Sequence, residues 1–98
     1  MDIRKVFGLN IRRLRLPKEL TQEEAGDLMQ LERAHFGRLE TGVQNATLVT
    51  LDRVARVLDC EWTELLDKRA AMDFAASLRT SAPRARKRKK TKKAKRRR

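Results

Sequence analysis

The chain has 98 residues, of which 40% are hydrophobic and 39% are charged, and its formal net charge at pH 7 is +12. This length supports one small domain with one core. The single cysteine, Cys60, excludes an internal disulfide and a cysteine-based metal cluster, and its apolar register predicts a small core residue. No apolar run reaches the length of a membrane span or of a signal-peptide core, which predicts a soluble, intracellular protein.

The positive charge is concentrated at the C-terminal end. Residues 84–98 contain 12 of the 25 lysines and arginines and no acidic residue, so residues 1–83 carry 13 basic and 13 acidic side chains. Such a segment cannot form a core, and it is predicted to be disordered when free and to bind polyanions without selecting a sequence. We therefore predict a folded domain over residues 1–82 and a basic tail over residues 83–98. A tail that only improves solubility is the alternative.

The first predicted helix spans about residues 3–16. Asp2 supplies a cap, and Pro17 ends the helix because the residue before a proline disfavours the α region. One face of this helix carries apolar residues at three- and four-residue spacing. These residues are Ile3, Val6, Phe7, Ile11 and Leu14.

Two short helices joined by a tight turn follow. Thr21 and Glu24 have the spacing of a capping box, which starts a helix over about residues 22–29. After a turn at residues 30–32, a helix over about residues 33–41 places Phe36 and Leu39 inward and ends at Gly42. A helix pair of this kind, over residues 22–41, is typical of a helix-turn-helix that inserts its second helix into the DNA major groove.

The remaining residues of the domain also have helical patterns. Thr47 can cap a fourth helix, and a fifth begins near Glu61 or Trp62. The fourth helix has the cleanest apolar stripe of the chain, formed by Leu48, Leu51, Val54, Ala55 and Leu58. The segment 70–78 either continues the fifth helix or forms a sixth. With no strand pattern, the sequence predicts an all-α fold of five or six helices.

The segment from Phe7 to Leu66 resembles the Cro/phage-repressor (Xre) family of helix-turn-helix proteins. The resemblance rests on FGLNIRRLR at 7–15, LTQEEAG at 20–26, FGRLETG at 36–42 and NATLVTLDRVARVLDCEWTELL at 45–66. RAHFGRLE, with Asn45 and Thr47 after it, is also similar to controller proteins of restriction–modification systems. The resemblance implies a lambda-repressor-like fold and a sequence-specific transcriptional regulator, a repressor or autoregulator of bacterial or phage origin. It also implies that the protein is cytoplasmic and associated with the nucleoid.

The resemblance implies two groups of residues that contact double-stranded DNA. The start of the second motif helix is expected to read bases, since arginine can grip guanine through two hydrogen bonds and alanine can touch a thymine methyl group. These residues are Arg33, Ala34, His35 and Arg38. A second group is expected to contact phosphates and to fix register without reading sequence. These residues are Thr21, Gln22, Thr41, Gln44 and Asn45. For His35, Thr41 and Asn45, a purely structural role is an equal alternative.

Arg15 and Glu40 are expected to form the family's structural ion pair and not to contact DNA. The chain departs from the family at Gln30, where glycine is usual, and a left-handed Gln30 would strain the turn by about 1 kcal/mol. Glu32 replaces the usual serine or threonine cap, and Gly26 replaces alanine.

Family members commonly act as two-fold dimers, which makes the C-terminal part of the domain the expected dimer or partner surface. Its apolar residues exceed what a five-helix core needs, unless they complete that core. They are Trp62, Leu66, Met72, Phe74 and Leu78.

Two other functions remain open on the sequence. One is an antitoxin-like or other protein-interaction module that docks a partner on the C-terminal helix. The other is a nucleoid-associated or RNA-binding protein in which the tail dominates. No enzyme is predicted: the chain has one histidine and no glycine-rich phosphate loop, so neither catalytic residues, a metal site nor a cofactor is expected.

Overall fold

The computed structural model describes residues 1–85, with side chains through residue 79, and all regular secondary structure of this part is helical. The six helices are α1 (Ile3–Arg15), α2 (Gln22–Met29), α3 (Arg33–Thr41), α4 (Leu48–Leu58), α5 (Trp62–Leu65) and α6 (Lys68–Ala85). A 3₁₀ turn, Leu16–Lys18, follows α1. The all-α prediction is confirmed, and the segment 70–78 belongs to a separate sixth helix.

Local side-chain caps set the helix ends where the sequence predicts them. The Asp2 carboxylate accepts a hydrogen bond from the Arg4 amide at 2.8 Å, and the Thr47 hydroxyl accepts one from the Thr50 amide at 3.0 Å. Hydrogen bonds from the Arg4 side chain and backbone lower the pKa of Asp2 to about 2. Gly42 ends α3 with φ of 81°, a left-handed conformation that glycine adopts without a Cβ penalty.

The five helices α1 to α5 together form the core, and α3 contributes the residues at its centre. Phe36 is fully buried and Leu39 is 1% exposed, which confirms that these two residues face inward. Around them lie buried apolar residues from α1, α2, α4 and α5, namely Phe7, Ile11, Ala25, Met29, Val54, Ala55, Leu58 and Leu65. Helix α3 is therefore packed against the main core through its buried side.

Asn10, which the sequence analysis did not single out, joins α1 to the C-terminal helices. Its side chain is fully buried, and its amide nitrogen donates to the carbonyl oxygens of Leu65 and Asp67, each at 3.0 Å. Its oxygen accepts from the Arg13 Nε, also at 3.0 Å. Each of the three polar groups of this buried amide thus has a partner, and the link between α5 and α6 is fixed on α1.

Helix α6 continues further than the sequence suggests. It runs through Ser81, Ala82 and Pro83 to Ala85, across the predicted domain boundary. The proline lacks the N–H that would bond to the Arg79 carbonyl, and this loss alone does not end the helix. Most of the predicted tail, residues 86–98, lies outside the described residues.

Two glycines allow α1 to cross the end of α3 so closely that the backbones of the two helices are in contact. A Cβ on Gly8 would overlap the carbonyl oxygens of Leu39 and Glu40, and one on Gly42 would lie 2.9 Å from the Lys5 Cα. Backbone atoms cannot move aside as a flexible side chain can. The position of α3 therefore depends on the absence of a side chain at these two sites.

We expect Gly8→Ala to destabilise the fold by about 1–3 kcal/mol, because overlap with backbone outweighs the higher helix propensity of alanine. Gly37→Ala is the matched control, since a Cβ on Gly37 meets nothing within 4 Å. This control should gain up to about 1 kcal/mol from propensity. Urea unfolding followed by circular dichroism measures both, and equal stability of the two variants would contradict the proposed close crossing.

Candidate nucleic-acid interface

The turn between α2 and α3 keeps a left-handed residue although it lacks the expected glycine. Gln30 has φ of 59° and ψ of 42°, and its amide donates to the Asp27 carbonyl at 3.1 Å. The next amide, of Leu31, donates to the Gly26 carbonyl at 2.8 Å. A Cβ on Gly26 would lie 3.0 Å from the Leu31 oxygen, so glycine at this position gives the turn room to close.

The side of α3 that faces away from the core carries the residues predicted to read bases. Arg33, Ala34 and Arg38 are exposed, whereas His35 is half-buried. The N-cap residue of the helix, Glu32, is exposed and makes no side-chain capping bond. This face therefore presents two cationic guanidinium groups together with one carboxylate.

A buried ion pair fixes the end of α3 against α1. The Arg15 guanidinium donates to the Glu40 carboxylate from Nε at 2.5 Å and from Nη2 at 3.1 Å. Its Nη1 donates to the Leu20 carbonyl at 2.7 Å, just before α2. The two side chains are 9% and 3% exposed. A bidentate pair at this depth holds three segments of the chain in one orientation.

The predicted phosphate contact Gln22 belongs to the same network. Its amide nitrogen donates to a Glu40 carboxylate oxygen at 2.9 Å. An amide nitrogen carries two hydrogens, so this bond leaves one for another acceptor. The neighbouring Thr21 closes the capping box with Glu24, donating its amide at 2.9 Å and accepting at its hydroxyl at 3.0 Å. The N-terminal end of α2 is thus rigid and tied to the end of α3.

The other predicted phosphate contacts lie at and after the end of α3. Thr41 donates its hydroxyl to the Arg38 carbonyl at 3.2 Å, and the Gln44 side-chain oxygen accepts from the Arg38 Nε at 2.9 Å. Asn45 is exposed. A predicted base-reading residue and two predicted phosphate contacts are therefore in direct contact. The sequence contained no signal for the bond between Arg38 and Gln44, which are six residues apart across a helix end.

The predicted dimer or partner residues do not all lie on the surface. Trp62, Leu66 and Met72 are exposed, but Phe74 and Leu78 are half-buried. The Trp62 indole donates to the Asp52 carboxylate at 3.1 Å.

Leu66 borders an apolar groove of about 330 Å³. Its apolar walls are formed by Ile3, Phe7, Leu48, Leu51 and Leu66, and residues 44–47 close one side. Ile3 and Leu48 are 60% and 82% exposed, although their spacing assigns them to the inner faces of α1 and α4. Each is the first residue of its helix, beyond the reach of the packed core.

Other kinds of site find little support in the described residues. Burial raises the pKa of the Cys60 thiol, which is partly buried against the core. Residues 1–85 contain no group of three or more histidine, cysteine or acidic side chains placed to hold a metal ion. None of the helices in this part is both long and apolar enough to cross a membrane.

Comparison with known proteins identifies the family. A helix-turn-helix family model matches residues 11–65, which is more than half of the chain. The chain belongs to the Cro/C1-type helix-turn-helix family of DNA-binding transcriptional regulators. Helix α6 lies beyond the matched region.

Several relatives are similar over about two thirds of the chain. The HTH-type transcriptional regulator y4dJ of Sinorhizobium fredii is 39% identical over 66 residues, which cover 67% of this chain and 86% of the relative. The control protein C.SmaI of Serratia marcescens is 32% identical over 68 residues, 69% of this chain and 81% of the relative. The crystal structure of the restriction-modification controller protein C.AhdI from Aeromonas hydrophila matches with a TM-score of 0.61 and 39% identity. That match covers 63% of this chain and 94% of C.AhdI.

Removal of one member of the buried ion pair should be costly. We expect Glu40→Ala to lower the free energy of unfolding by about 3–5 kcal/mol, because it leaves the Arg15 guanidinium buried without its counter-charge. Asp73→Ala is the control, since it removes a pair with Arg69 in which both side chains are largely exposed. Its cost should stay below about 1 kcal/mol. Chemical denaturation of both variants measures the difference, and similar small losses would rule out the structural role of the pair.

Proposed function

We propose that this protein binds double-stranded DNA sequence-specifically and acts as a repressor or autoregulator, with α3 in the major groove. The observation that carries the proposal is the two-sided character of α3. Phe36 and Leu39 are buried, while Arg33 and Arg38 are exposed on the opposite side. A helix held rigidly on one side and cationic on the other suits base reading in the major groove.

Each contact has a separate role in this proposal. Arg33 and Arg38 donate to guanine O6 and N7, and Ala34 packs against a thymine methyl group. The half-buried His35 contributes a donor to a base or a phosphate. The phosphate contacts set the register of α3 from both sides of the helix. These contacts come from Thr21, Gln22, Thr41, Gln44 and Asn45.

The similarity to restriction–modification control proteins supports the regulatory part of the proposal. C.SmaI and C.AhdI are named as control or controller proteins, and both resemble this chain over most of their own length.

The basic tail is proposed to add affinity that does not depend on sequence. Because residues 1–83 are balanced in charge, nearly all long-range attraction to DNA comes from residues 84–98. Lysines and arginines that neutralise phosphates release counterions, which strengthens binding to any duplex at low salt. In this proposal the tail shortens the time needed to find the specific DNA site, and α3 recognises the base sequence of that site.

A homodimer is proposed as the binding form, with the apolar groove as its interface. The exposed Ile3, Leu48 and Leu66 provide an apolar surface that a second copy would cover. The groove also borders residues 44–47, close to the end of α3. Two copies joined at this surface can present their α3 helices to half-sites about one helical turn, roughly 34 Å, apart.

Selection from a pool of DNA duplexes tests whether α3 reads the base sequence. The pool carries about 20 randomised base pairs, enough for two half-sites, and is sequenced before and after capture by the full chain. Arg33→Ala and Arg38→Ala should each flatten the preference at one base pair per half-site by about 1–3 kcal/mol. Arg69→Ala, which removes an exposed arginine of α6, is the control and should leave every position unchanged.

The same pool-capture experiment on a chain that ends at Ala85 distinguishes DNA binding by α3 from DNA binding by the tail. This chain keeps α6 and lacks 11 basic residues, and its fold is checked by circular dichroism. Its sequence preference should persist, and its salt slope should fall by about one for each phosphate the tail had neutralised. If it binds no duplex while the full chain captures all sequences equally, the tail is the nucleic-acid binder and specific regulation by α3 is wrong.

Sedimentation analysis tests the dimer interface. Leu66→Glu places a charge in the groove and should convert a wild-type dimer to a monomer at the same protein concentration, because an unpaired carboxylate is costly to bury. Leu28→Glu changes an apolar residue of α2 that is 59% exposed, against 41% for Leu66, and lies outside the groove; it should leave the mass unchanged. If Leu66→Glu sediments as the wild type does, the groove is not the interface.

A further inference from the structure

The contact between Arg38 and Gln44 gives Gln44 a role in addition to the phosphate contact proposed for it. The Gln44 side-chain oxygen accepts from the Arg38 Nε at 2.9 Å. Arg38 is exposed at the end of α3, whereas Gln44 is half-buried in the loop before α4, beside the apolar groove. The guanidinium is therefore held at its inner nitrogen by a residue that is itself packed against the domain.

An arginine reads guanine best when its donor pair already has the required direction. A guanidinium presents its N–H groups in a planar fork, and each edge of that fork can make a two-bond contact. The bond that Arg38 Nε donates to Gln44 occupies one edge and leaves the terminal edge, formed by Nη1 and Nη2, for another acceptor. Without this bond, the side chain loses more rotamer freedom when it binds a base.

The backbone at Arg38 is also held by its neighbours. The Thr41 hydroxyl donates to the Arg38 carbonyl, as does the Gly42 amide at the end of the helix. Of the bonds near this position, the one from Arg38 to Gln44 constrains the guanidinium itself. Loss of this bond should therefore change the orientation of the Arg38 side chain more than the position of α3.

We propose that Gln44 is a positioning residue that sets the sequence preference at the base pair read by Arg38. The proposal rests on the base-reading role of Arg38 given under Proposed function. It assigns specificity to a loop residue outside α3. Gln44 acts here through its carbonyl oxygen, whereas a phosphate contact would use its amide nitrogen.

The two roles predict different results in the pool-capture experiment with the full chain. A positioning residue changes the preference at one base pair, whereas a phosphate contact weakens binding almost uniformly across sequences. Gln44→Ala should lower the preference at the Arg38 position by about three- to tenfold. It should leave the preference at the Arg33 position unchanged.

Two further variants isolate the carbonyl oxygen. Gln44→Glu keeps an acceptor for the Arg38 Nε and should retain the preference at that position, although its charge weakens binding to every duplex. Asn45→Ala removes the neighbouring proposed phosphate contact, so it should weaken binding to every duplex alike and shift the preference at no single base pair. Thermal unfolding of each variant checks that the fold is retained.

Arg38→Ala and the double variant Arg38→Ala/Gln44→Ala complete the test. If Gln44 acts through Arg38, the double variant loses no more preference at this position than Arg38→Ala alone. If Arg38→Ala flattens one position and Gln44→Ala does not, the positioning role is wrong and base reading by Arg38 stands. If Arg38→Ala flattens no position, base reading by Arg38 fails and the role of Gln44 fails with it.

Discussion

The buried pair of Arg15 and Glu40 is the interaction on which the arrangement of the motif depends. It joins α1 to α3 and reaches the start of α2 through the Leu20 carbonyl and the Gln22 amide. Charges removed from water are costly, and this cost is offset here because several hydrogen bonds with defined directions satisfy them. An apolar pair of similar volume would fill the same space without fixing a direction. The ion pair thus couples the end of α2 proposed to contact phosphates to the helix proposed to read bases.

Local signals in the sequence predicted the helices of the motif well. The capping box at Thr21 and the left-handed Gly42 act within a few residues of themselves, so their consequences can be read without the fold. Features that depend on distant partners could not be read in this way. The burial of Asn10 is determined by carbonyl groups more than fifty residues away, and the exposure of Leu48 by how far the neighbouring helices extend. Periodicity shows which face of a helix is apolar, but it does not show how far along that face the neighbouring helices pack.

In the candidate site, too, some features follow from local signals and others depend on distant partners. The exposed side of α3 was predictable, because Phe36 and Leu39 must face the core and leave Arg33 and Arg38 outside. The pairing of Arg15 with Glu40 was implied by the family resemblance, and spacing alone would not have found it. The bond between Arg38 and Gln44 had no signal at all, since it depends on the path of the loop after α3. The helices therefore place the site, and the loop after α3 adds a contact that spacing does not predict.

The separation of charge along this chain also affects its colloidal behaviour. Copies of the balanced part, residues 1–83, have no net charge with which to repel one another, so nearly all of that repulsion comes from residues 84–98. Any polyanion that neutralises the same charges removes this repulsion at the same time. Free copies are thus kept apart by residues 84–98, the segment proposed to attract DNA, and neutralisation of this segment on a duplex is expected to let copies crowd together.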